Sequence, residues 1–72
     1  MKVKLGDGLS VPGEIDPADL KKKLKKFIDD SQELTVTNMK YKTGDSKFKV
    51  FYSIGQDKKG NDEATINRIE SQ

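Results

Sequence analysis

The chain has 72 residues, with 13 Lys and one Arg against 12 acids, a net charge of +2, and no Cys, His or Trp. That length holds one core and no second domain. The missing residue types exclude a disulfide framework, a His/Cys metal centre, a cysteine nucleophile and histidine acid–base chemistry.

Lys2-Val3-Lys4-Leu5 alternates and predicts a strand over 2–5. Gly6-Asp7-Gly8 breaks it, and Leu9-Ser10-Val11 is expected to resume it before Pro12-Gly13 turns the chain. The opening residues contain no apolar run of the signal-peptide kind, and nowhere are there the roughly 20 apolar residues that span a bilayer. The expectation is a soluble, cytoplasmic protein with no membrane partner.

Asp16-Pro17-Ala18-Asp19 predicts a helix start. Asp16 is placed to cap, Pro17 suits the first helical position, and Asp19 adds negative charge at the positive end of the dipole. Leu20, Leu24, Phe27 and Ile28 form one apolar stripe and five lysines fill the rest, so the helix is expected over 17–30. Asp29-Asp30 oppose the dipole at its far end.

Two strands follow, over 33–42 and 47–54, joined by Thr43-Gly44-Asp45-Ser46. A Gly44-Asp45 turn sets Lys42 against Lys47, Tyr41 against Phe48, Lys40 against Lys49, Met39 against Val50, Thr37 against Tyr52 and Thr35 against Ile54. Alternation puts the apolar members on the face that receives the helix. The other face carries Leu34, Val36, Asn38, Lys40 and Lys42 beside Lys47, Lys49, Phe51 and Ser53.

Asp57-Lys58-Lys59-Gly60 reads as a turn into a final strand over 63–69. The spacing of Ile66 and Ile69, with Asn61 or Asp62 as a cap, also admits a short helix, but the hairpin turn favours the strand. The fold class is therefore α+β: a single domain over 1–72, with one amphipathic helix on a mainly antiparallel sheet, in the order β-α-β-β-β. Many unrelated small folds share that order, so it assigns no function.

Three features are candidates for function. Residues 21–49 hold nine Lys against four acids, and Lys40, Lys42, Lys47 and Lys49 meet in like-charge pairs at the hairpin tip. Such pairs are destabilising, and an anion or nucleic acid would relieve them. Phe51 on that face, with Tyr41 or Phe48 if the tip splays, offers stacking for unpaired bases. Edge protection and solubility explain the same lysines slightly better. The basic helix face, Lys21 to Lys26, reads as an ordinary solvated surface. Leu34, Val36 and Phe51 form an apolar remainder. Cover by the N-terminal segment through Leu9 and Val11 is marginally favoured, since large exposed patches are rare; otherwise the patch asks for a protein partner or a second copy.

No pattern supports catalysis. Asp29-Asp30 and Asp62-Glu63 sit at element ends, the serines have no histidine base, and 57–63 lacks calcium-loop spacing. The sequence thus points to a non-enzyme with no metal or cofactor. The leading reading is a small protein-binding module or inhibitor, of a composition that suits a phage or mobile element, using an edge strand or the Leu34/Val36/Phe51 face and able to form a homodimer. The alternatives are a weak, sequence-tolerant nucleic-acid binder using the hairpin lysines, and a structural subunit of an assembly.

Overall fold

The computed structural model describes residues 1–30 and 37–72. The Glu33–Val36 part of the expected strand, with Leu34, Val36 and the Thr35–Ile54 pairing, lies outside the described residues.

Strand β1 (Lys2–Leu5) and helix α1 (Pro17–Asp30) have the bounds that alternation and capping predict. The Asp16 carboxylate accepts the Ala18 N–H at 3.0 Å, and its carbonyl accepts the Leu20 N–H at 2.9 Å. The cap thus satisfies amide groups that a helix start leaves without partners. Strands β2 (Asn38–Thr43), β3 (Ser46–Gln56) and β4 (Asp62–Ser71) complete the fold. The α+β order β-α-β-β-β holds, and the last element is a strand, not a helix.

The sheet order is β1-β4-β3-β2, so the first and last strands are neighbours. β1 runs parallel to β4, while the β3–β4 and β2–β3 pairs are antiparallel. Where β4 passes β3 the register shifts at Phe51/Tyr52, with Asn67 as the extra residue. The spacing of three between Ile66 and Ile69 belongs to this β-bulge rather than to a helical turn.

Leu20, Leu24, Val50 and Ile66 are fully buried between helix and sheet, and Met39, Tyr41, Phe48, Tyr52 and Ala64 complete the sheet side of the core. Each fully buried aliphatic side chain contributes about 1.5–3 kcal/mol. Leu9 and Val11 form no strand; they pack as loop residues against this core. The chain has to climb from the sheet to the helix layer here. A turn at Gly8, with φ of 74°, and Pro12 keep the segment from pairing. Leu9 and Val11 are therefore committed to the helix-side core and do not form the expected cover for the other sheet face.

Helix and hairpin are clasped at one point. The Tyr41 hydroxyl donates to Asp19 Oδ2 at 2.6 Å, and Lys23 reaches the same oxygen at 3.2 Å while lying 5.0 Å from the Tyr41 ring centre. Burial, reinforced by the Asp19 carboxylate, pushes the Tyr41 phenol up to about 12. The Tyr41 hydroxyl, then Lys23, hold the Asp19 carboxyl below its ordinary range. Among the described residues no helix is long and apolar enough to cross a membrane.

Candidate nucleic-acid interface

The hairpin that carries the lysines turns through Gly44, whose φ of 57° suits the first central position of a two-residue turn. Thr43 pairs with Ser46, and the ladder continues as Lys42–Lys47, Tyr41–Phe48, Lys40–Lys49 and Met39–Val50. Beyond the strand, the Tyr52 N–H donates to the Thr37 carbonyl at 2.9 Å and extends the same register. Both like-charge pairs therefore stand where the turn length predicts.

Tyr41 and Phe48 are core residues, 3% and 4% exposed, and they lie under the helix. They do not splay into a stacking surface. Lys40, Lys42 and Lys47 are exposed and Lys49 is half-exposed, all four on the opposite face. Among the described residues none of the four enters an ion pair. An open depression of about 360 Å³ at the tip is lined by Lys40, Tyr41, Lys42, Lys47, Phe48 and Gln72.

The molecule is 17 Å across its shortest axis, the thickness of one helix layer on one sheet. No described element covers the lysine-bearing face. Register places Lys2, Lys4, Glu63, Thr65, Arg68 and Glu70 on that face as well. Its acids are engaged: Lys4 Nζ lies 3.1 Å from Glu63 Oε1, and Arg68 Nε lies 3.3 Å from Glu70 Oε1. Among the described residues, seven cations against two acids give the face a surplus of five positive charges. The helix lysines point away from the other side of the domain, so one ligand does not reach both groups.

Of the apolar remainder, only Phe51 is among the described residues. It is half-buried and flanked by cations, with Arg68 Cζ 4.3 Å and Lys49 Nζ 5.3 Å from its ring centre. Arg68 is a site residue that sequence reasoning missed. The bulge sets Arg68 directly opposite Phe51, and its signal was the odd spacing Ala64, Ile66, Ile69 along an otherwise alternating strand. Lys2 and Lys4 were missed because they join this face only through the long-range β1–β4 pairing.

Comparison with protein-family models, with curated proteins and with solved structures finds no match.

Proposed function

We propose that the chain is a non-catalytic, sequence-tolerant nucleic-acid-binding protein that contacts phosphates through Lys40, Lys42, Lys47 and Lys49. The observation that carries this reading is the pair of like-charge steps, Lys40 opposite Lys49 and Lys42 opposite Lys47, on a sheet face with no described cover. Facing like charges cost stability, and a polyanion laid across them reverses the sign of that term. With one Arg in 72 residues, bidentate reading of guanine has little to work with, so backbone charge dominates.

The test is the salt dependence of binding to labelled oligonucleotides. Four phosphate contacts give a log–log slope of about −3.6 on a duplex or about −2.8 on a single strand. A variant with all four lysines changed to glutamine is expected to lose most of that slope. Absence of wild-type binding at low salt rejects the reading.

A protein-binding role is the second reading, and its support is that β2, among the described residues, is an edge strand with one side unpaired. It ranks behind because that edge carries Lys40 and Lys42, which discourage strand addition, and because, among the described residues, the cations Lys49 and Arg68 flank the Phe51 ring. Partnering through the β2 edge, including homodimerisation, predicts a mass that rises with concentration and ignores oligonucleotides.

A further inference from the structure

We infer that the open sheet face takes single-stranded nucleic acid in preference to duplex, with an unpaired base stacking on the Arg68 guanidinium where it lies over the Phe51 ring; this rests on the nucleic-acid reading above. The arrangement is layered. Phe51 projects from the middle of β3, the bulge turns Arg68 over it with Cζ 4.3 Å from the ring centre, and Glu70 holds Arg68 Nε at 3.3 Å. With Cζ over the ring, one side of the guanidinium faces Phe51, and a stacked base takes its outer plane. Its side chain is 62% exposed, so that outer plane is open. Bases stack on aromatic rings and on guanidinium planes alike, because every base has a π-face.

The surroundings supply the rest of a single-strand track. Lys49 flanks the same ring at 5.3 Å, and the Lys40–Lys49 and Lys42–Lys47 rows lead from it to the hairpin tip. The four residue steps of strand from Lys47 to Phe51 span roughly 13 Å, a length over which a flexible single strand can place both phosphates and a base. On the other side, the Asn67 side-chain amide donates to Ser53 Oγ at 3.2 Å and borders the platform with polar groups. A duplex meets this surface differently. Its bases are stacked inside, the described sheet projects no helix toward a groove, and a stacking platform at the centre of a flat face gains nothing from it. Charge alone does not distinguish the two forms, but the platform does.

The experiment uses the full chain and fluorescein-labelled twelve-nucleotide oligothymidine, alone and annealed to its complement, read by anisotropy across a salt series. Arg68→Lys keeps the charge and removes the plane. Phe51→Leu keeps an apolar side chain and removes the ring. Each is expected to weaken single-strand binding by roughly 5- to 150-fold while leaving the salt slope and duplex binding unchanged. The chain has no Trp, so a Phe51→Trp variant carries one reporter, and its fluorescence is expected to fall as the oligonucleotide binds. Circular dichroism of each variant checks that the fold is retained. Binding that depends on the lysines but is unchanged in Arg68→Lys and Phe51→Leu, or that favours the duplex, overturns the stacking platform and leaves the phosphate-binding reading standing. No wild-type binding to either form overturns both.

Discussion

Replacing Gly6 by alanine tests how closely β1 approaches β4. A Cβ at that position meets the Ile66 carbonyl oxygen at 2.8 Å, where ordinary contact begins near 3.4 Å. The Gly6 N–H already donates to this oxygen at 2.8 Å, so neither backbone can yield without stretching that bond. Forcing extra volume into a tight contact costs about 1–3 kcal/mol. For a chain of this length total stability is about 4–11 kcal/mol, so a sizeable share is at stake. With a urea dependence near 1 kcal/mol per molar, the unfolding midpoint is expected to fall by about 1–3 M. Gly13→Ala is the matched control, since its Cβ meets nothing within 4 Å and its backbone is not left-handed. That variant is expected to be neutral or stabilised by up to about 1 kcal/mol through the unfolded chain. Urea melts followed by far-ultraviolet circular dichroism decide the matter. A Gly6→Ala midpoint at or above wild type would mean that the close β1–β4 approach is not present in solution.

Leu24 is fully buried, and Leu24→Ala is expected to cost about 2–5 kcal/mol; a loss below about 1 kcal/mol in the same melts contradicts its place in the core. The Tyr41 phenol ionises near 12 in the fold against 10.0 ordinarily, so its contribution is intact below pH 10 and drains away as pH rises toward 12. Tyr41→Phe is expected to flatten that alkaline decline, leaving the smaller share due to Tyr52, also raised by burial; identical declines in both proteins refute the clasp. Changing Lys42 and Lys47 together to glutamine removes one facing like-charge pair and is expected to stabilise the free protein by about 0.2–1 kcal/mol at low salt. That gain should vanish near 1 M salt, where screening reaches about 3 Å, and no gain at low salt argues against electrostatic strain at the tip.

The helix and hairpin were legible because their signals are local. Asp16 and Pro17 mark the helix start, Leu20, Leu24 and Ile28 repeat with the helical period, and a Gly at the turn ties one strand register to the other. The four hairpin lysines followed directly from that register. What escaped depends on contacts between distant segments. Leu9 and Val11 look like a continued strand, yet the climb to the helix layer uses them as loop packing. Ile66 and Ile69 satisfy two periods at once, and only the pairing with β3 resolves them into a bulge. The placement of Arg68 over Phe51 depends on that bulge, so it could not be read before the register of β4 was known.

The position of β4 between β1 and β3 also governs when this chain can fold. β4 is the last described strand in chain order, yet it is the strand that pairs with both β1 and β3 and so joins β1 to the rest of the sheet. While it is still being synthesised, β1 has no strand to pair with and the only assembled sheet among these elements is the β2–β3 hairpin, a form that is marginal in water. Ala64 and Ile66, both fully buried, are missing from the platform beneath Leu20 and Leu24 at that stage. Until residues near 66 are free, the nascent helix has only the β2–β3 side of its platform, Met39, Tyr41, Phe48, Val50 and Tyr52, to pack on. Such long-range closure slows folding relative to a helical domain of the same length.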